Sequence, residues 1–312
     1  MKYVAFAGRR LATLIPVLLG ISVIVSLLIH MVPGDPAVTL LGSHVTAAGV
    51  AELHRQLGLD RPLWQQFLTF LNGALHGDLG QSYQYKVSVS SLIAKDLAPT
   101  LWLITAATVL AVLISVPLAL LAAIRQNKAS DHIIRVIPVL GLGLPAFWVG
   151  IMLVLLLSLK AGAFPASGFG TGTANHFKSI FLPGLTVALA LIPILVRSLR
   201  ASLISVLRSD YITTARSKGI SGTRVVLAHG LRNAAISSVN VLGVNIAYLI
   251  GSTLVVEKVF ALNGIGYLMI TAIFNRDFPI VQGVTLLFAV MVVSVNLLTD
   301  LAHATLDPRV SL

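Results

Sequence analysis

The residue types that carry chemistry are sparse in this chain, and their spacing excludes more than it suggests. Eight histidines are scattered without the spacing of a metal site, and there is no cysteine to ligate or to bridge. No glycine is followed by lysine, so the phosphate-cradling GxxxxGK[ST] loop is absent. If this protein drives anything uphill, the nucleotide chemistry belongs to another chain. What remains is a concentration of charge over 209–233, where Arg216, Lys218, Arg224 and Arg232 face a single acid, Asp210. Ser209 or Asp210 can cap a first short helix there, and Gly219 can close it in the left-handed conformation. Ser221 can then cap a second helix through Val225, Val226 and His229. Tyr211, Ala215 and Gly219 fall at i, i+4 and i+8 and share one face. One aromatic knob followed by two near-absent side chains suits close docking on another backbone. The plainer reading is a basic loop that satisfies the charge rule of membrane topology.

The composition says what must position this segment. Of 312 residues, 56% are hydrophobic and only 11% charged, against about 25% charged in a soluble domain. With a mean hydropathy of +0.92, the chain has too little polar surface to face water, so lipid is the expected solvent. The net charge of +11 lies between apolar runs rather than in one domain, which points to topology and not to nucleic acid.

Charge-free runs cover 11–34, 97–124, 136–159, 179–196, 234–256 and 278–299. Each reaches or approaches the roughly 20 residues that span the hydrocarbon. The first is preceded by Lys2, Arg9 and Arg10, but it is too long for a signal-peptide core and reads as an uncleaved helix. The expected fold is an all-α membrane protein of six transmembrane helices. The loops at 125–135 and 197–233, with both termini, hold 14 Lys and Arg, and the loops between the other ends hold 8 over more residues. The first set is therefore expected inside, at the cytoplasmic face of the membrane, with both termini cytoplasmic. This divides the chain into 1–34 (N-terminus and first span), 35–96 (an outward segment) and 97–312 (spans two to six, with the 209–233 hairpin between spans four and five).

The outward segment should carry an amphipathic helix through Leu63, Phe67, Phe70 or Leu71, and Ala74, with Asp60 as cap and Pro62 in its first turn. The spans contain Pro117, Pro138, Pro145, Pro183 and Pro193, and the run from Gly141 to Pro145 is the weakest point for a helix. In the fifth span Asn240, Asn245, Tyr248 and Ser252 form a polar stripe. Such a stripe lines a pathway or bonds to neighbouring helices. Arg197 and Arg200 after the fourth span are interface anchors or parts of an inner gate. Glu257, at the outer end of the fifth span, is a gate residue or a partner for the surroundings of Lys258.

At this point the residues resemble a known family. Ala215 and Gly219 match the last alanine and the glycine of the EAA loop of ABC-importer membrane subunits, with His229 in the following helix. Thr213 and Thr214 stand where that pattern has glutamate and alanine. Further blocks resemble the B-type permeases of dipeptide, oligopeptide and nickel importers: Val32-Pro33-Gly34-Asp35-Pro36, Leu57-Gly58-Leu59-Asp60-Arg61-Pro62 and Gly77-Asp78-Leu79-Gly80-Gln81-Ser82. Later ones are Leu231-Arg232-Asn233, Gly264-Ile265-Gly266, Asn275-Arg276-Asp277-Phe278-Pro279 and Asp307-Pro308-Arg309.

The resemblance implies a non-catalytic translocation subunit that works with a second homologous permease, two ATPase subunits holding ATP and magnesium, and an external substrate-binding protein. It implies di- or oligopeptide cargo, with nickel chelates, glutathione or haem as alternatives, and no cofactor on this chain. Asp210, Tyr211, Ala215, Arg216, Lys218, Gly219 and His229 would couple the ATPases to the bundle. A secondary transporter is the rival class, but it needs a mid-membrane carboxylate, and no acid lies inside the six runs.

Overall fold

The computed structural model describes residues 2–31 and 34–306; Val32, Pro33 and the closing Asp307-Pro308-Arg309 of the blocks above lie outside the described residues. Every regular element among the described residues is helical. Four of the helices are long and apolar enough to cross a membrane, over Val89–Ile124, Thr173–Leu207, Gly222–Val259 and Phe278–Thr305. In chain order the elements are α1 (Lys2–Met31), α2 (Pro36–Leu41), α3 (Ala47–Leu57), α4 (Leu63–Leu75), α5 (Val89–Ile124), α6 (Ala129–Leu142) and α7 (Ala146–Leu153). Then follow α8 (Thr173–Leu207), α9 (Asp210–Ser217), α10 (Gly222–Arg224), α11 (Arg232–Val259), α12 (Ile265–Asn275) and α13 (Phe278–Leu306).

The core is the pairing of α5 with α8. On α5 the buried residues Ala107, Ala111, Ser115, Ala119 and Ala122 or Ala123 recur at helical spacing, a stripe of small side chains that lets backbones approach without a hydrophobic drive from water. Leu182, Val187, Leu191 and Leu195 of α8 fill that groove. At the tightest point a Cβ on Gly184 would lie 3.1 Å from the Ala106 Cβ. Pro99 and Pro117 in α5, and Pro183 and Pro193 in α8, sit inside unbroken helices, as expected where packed neighbours support the backbone. On the other side α11 crosses α13, where a Cβ on Gly243 would overlap the Thr299 side chain.

Two expectations need correction. The third expected span, 136–159, is not one helix: α6 ends at Leu142 and α7 begins at Ala146, with extended Pro145 between them. Proline cannot donate the next helical bond and disfavours α geometry in the residue before it, so the weak point is a full break. The hairpin's second arm is not a separate short helix either. It runs through α10 and a π-helical turn, Val225–Leu231, straight into α11, so this helical rod spans Gly222–Val259.

The 35–96 segment holds more structure than its sequence pattern shows. Asp35 caps α2 by accepting from the Ala37 N–H at 2.8 Å, and its carboxylate also meets His54 Nε2 of α3 at 2.8 Å. α3 starts under the Thr46 hydroxyl. It ends in a Schellman turn at Gly58 (φ 69°), where Gly58 N–H and Leu59 N–H donate to the Arg55 and His54 carbonyls. α4 forms where amphipathicity places it, but Pro62 stands at its N-cap, no side chain caps it, and Asp60 does not serve.

Candidate functional site

The hairpin is built from α8 outward. Ser209 leaves the helix in extended geometry, and its hydroxyl donates back to the Val206 carbonyl at 2.6 Å rather than capping α9. Asp210 occupies the first turn of α9, where its charge complements the helix dipole. The helix closes on Lys218, and Gly219 takes φ 79° with open space around it. Glycine is needed there for backbone conformation and not for room.

Ala215 does not face outward with Tyr211. It packs with buried Ile212 against Val225, with Ile220 alongside, in a small private core that stiffens the turn. Tyr211 is 45% exposed and accepts from Asn233 Nδ2 at 3.1 Å. Leu227 in the second arm is half exposed, and Arg216, Lys218, Arg224 and Arg232 are exposed, with His229 half-buried. The Thr214 hydroxyl donates to the Asp210 carbonyl and the Ser217 hydroxyl to the Thr213 carbonyl, each at 3.1 Å, so Thr214 spends its hydrogen on its own helix. A Cβ on Gly230 would lie 3.1 Å from Leu207, and the Ser202 and Ser237 hydroxyls meet at 2.6 Å. The hairpin thus packs on the end of α8 and runs on into α11, and the serine pair ties those two helices together.

Along α11, Asn240, Val244, Tyr248, Gly251 and Val255 lie on one exposed side, Tyr248 at 79%. Asn245 and Ser252 flank it and bond their own helix, to the Val241 and Leu249 carbonyls. Tyr248 and Ser252 line an apolar cleft of about 560 Å³ with Ile21 of α1 and Phe288 of α13. Arg197 is exposed at the hairpin end.

Arg200 is an ion-pair partner and not a free cation. Its Nε and Nη2 hold both oxygens of Asp131 at 2.6 Å, and Asp131 is fully buried. The bond from Arg200 keeps the Asp131 carboxyl below the ordinary range despite that burial.

Glu257 is fully buried and does not line an open face. It accepts from the Thr100 hydroxyl at 2.7 Å and from the Tyr267 N–H at 2.9 Å, while Thr100 accepts from the Ile265 N–H at 2.8 Å. Glu257 and Thr100 together cap the start of α12 from two other helices. This explains the Gly264-Ile265-Gly266 block, since a Cβ on either glycine would run into Glu257 Oε2, at 2.5 Å from Gly264 and 3.0 Å from Gly266. Lys258 pairs elsewhere, its Nζ lying 4.5 Å above the Tyr267 ring.

At the same end, Asp277 between α12 and α13 accepts from the Ser82 hydroxyl at 2.5 Å and from the Tyr83 and Gln84 N–H groups at 3.1 and 3.0 Å. Burial, and then the charge of Asp277, push the Tyr83 hydroxyl above its ordinary pKa. A cleft of about 360 Å³ with mixed polar and apolar walls opens beside this anchor, lined by Arg61, Gln66, Phe70, Lys86, Phe278 and Gln282.

The comparisons with known proteins agree with this architecture. The family described as binding-protein-dependent transport system inner membrane component matches residues 115–312, and its N-terminal companion matches 3–105. The chain belongs to this family. The resemblance carried by the scattered blocks therefore holds at family level. The chain is 39% identical over 302 residues to the glutathione transport system permease protein GsiC of Escherichia coli O6:H1, covering 97% of each, and 38% identical to that of Shigella flexneri serotype 5b, again over 97% of each. The inward-facing MetNI methionine ABC transporter shares the fold, with a TM-score of 0.58 at 15% identity over 69% of this chain and 96% of that one.

Sequence reasoning missed Asp131, Asp277 in its anchoring role, and Thr100. Asp131 had one signal, a lone acid between Arg125, Lys128 and Arg135. Thr100 had none.

Proposed function

We propose that this chain is one of two paired membrane subunits of an ATP-driven importer of short peptides, six-spanning with both termini cytoplasmic. The observation that carries the reading is the stiff 209–233 hairpin. It exposes Tyr211 and Leu227 together with the cations Arg216, Lys218, Arg224 and Arg232, it packs at Gly230 against Leu207 of α8, and its second arm is continuous with α11. A basic surface that also exposes an aromatic and an aliphatic side chain fits a groove on a partner ATPase. Closure of two ATPases would drive the hairpin as a rigid lever, and the exposed side of α11, from Asn240 to Val255, would line the path shared with the second permease. The outer rim made by 35–96 and the 257–277 connection would receive an external binding protein.

Glutathione, itself a tripeptide, is the first cargo to test, since relatives alike over nearly the whole chain carry that name. The test is uptake into proteoliposomes holding this chain with its co-purified partners and the binding protein. Vanadate-sensitive, ATP-dependent uptake of labelled glutathione or dipeptide is expected. Uptake without ATP, or driven by a proton gradient alone, would overturn the reading, and uptake of nickel or haem but no peptide would replace the cargo.

A further inference from the structure

The turn joining α5 to α6 is fastened to the end of α8 at two places. The first is the Asp131 pair described above. Asp131 takes both oxygens' worth of Arg200, a third bond from the Asn127 N–H at 2.9 Å and the Arg135 Nε at 3.5 Å, while Arg135 also meets His132. Asn127 sits in the left-handed region (φ 63°), which asparagine reaches more easily than other side chains, and its N–H bond to Asp131 closes the turn on the buried carboxylate. The second place is Arg208, whose Nη2 donates to Gln126 Oε1 at 3.0 Å, immediately before the extended Ser209 that opens the hairpin.

The two arginines are eight residues apart on one helix, a separation of about 12 Å. One attachment is a pivot, whereas two attachments that far apart also fix orientation. A buried ion pair is an inefficient way to gain stability alone, because the desolvation of both charges offsets much of the attraction. What it supplies is a bidentate geometry that holds one register of the turn on α8. Beyond the turn, α6 runs only to the break at Gly143 to Pro145, so movement imposed at the turn can be taken up there as a hinge.

We propose that the 125–131 turn travels as one body with the coupling hairpin, with Arg200 and Arg208 as the positioning residues that carry motion from α9 through α8 into α5 and α6. The coupling element of this subunit is then the hairpin together with the clasped turn. This rests on the hairpin being the point where force enters, and the experiment separates the two ideas.

In the reconstituted transporter, Asp131→Asn is expected to lower transport per ATP hydrolysed about three- to thirtyfold, with ATPase turnover retained. Arg200→Lys, which keeps the charge but loses the fork, should fall between wild type and Arg200→Gln. Transport per ATP unchanged in Asp131→Asn would overturn the clasp. Should that variant not assemble, the second arm decides. The chain has no cysteine, so Gln126→Cys with Arg208→Cys can be bridged by a short bis-maleimide. Transport by the bridged complex equal to or above that of the unbridged one is expected. Bridged transport that is lower, or absent in both, would overturn the proposal. Gly219→Val run alongside tells the ideas apart: wild-type transport there removes the hairpin reading itself, and impaired transport there with normal Asp131→Asn removes only the clasp.

Discussion

The two ends of the helix bundle are fastened by different means. At the end formed by 35–96 and 257–277, buried carboxylates take main-chain donors: Asp277 holds two N–H groups and a serine hydroxyl, and Glu257 holds an N–H and a threonine hydroxyl. At the hairpin end the fastenings run from side chain to side chain, Arg200 to Asp131, Arg208 to Gln126, Ser202 to Ser237 and Asn233 to Tyr211. Main-chain donors cannot rotate away, so the first end is a rim of fixed shape. Side-chain clasps tie helix to helix, so that at this end whole helices are held in fixed relative orientation.

The largest effect should follow from breaking the rim. Asp277→Ala leaves the buried Ser82 hydroxyl without its acceptor, at about 1–3 kcal/mol, and frees the part-buried Tyr83 and Gln84 N–H groups that hold the 82–84 turn. We expect a large loss of thermal stability in detergent and new proteolytic cleavage in 76–90; an unchanged melting temperature would remove the claim that the rim is anchored there. Next is Gly219→Val, which forces a β-branched residue to φ 79° at a cost of about 1–2 kcal/mol. Insertion should survive, so the loss is expected in transport, read as uptake per inserted protein.

A smaller and pH-dependent effect belongs to Asp131. Its folded pKa is depressed, chiefly by the bond from Arg200, so its contribution is complete above the ordinary value of 3.8 and is lost as pH falls below it. Wild type should therefore lose stability on acidification below that value more steeply than Asp131→Asn, as followed by thermal melts across pH. Asp35→Ala removes the cap on the short α2 and should cost about 1 kcal/mol, visible as faster amide exchange in 36–41. The smallest is Thr214→Ala: its hydroxyl serves only its own helix, and the change should stay within about 0.5 kcal/mol with transport unaltered.

The sequence displayed what depends on local pattern. Gly219 was legible as a left-handed closure because only glycine reaches that conformation cheaply, and α4 because its apolar face repeats at helical spacing. The break near Pro145 was legible as weakness but not as a gap, since proline inside α5 and α8 leaves those helices whole; neighbours, not the residue, decide. Arg200 and Glu257 were both marked as notable, yet their tasks were hidden because their partners are 69 and 157 residues away. Asp60 looked like a cap, and the chain instead turned on Pro62.

By itself, then, the order of residues determined the solvent, the helical class, the basic end and the left-handed glycine that closes α9, because hydropathy, charge and φ preference act over a few neighbouring positions. Only the tertiary structure decided which acids are rim anchors, which arginines are clasps, and that the hairpin's second arm is the foot of α11. Those assignments depend on which distant groups share a buried volume, where an unpaired charge is too costly to leave alone.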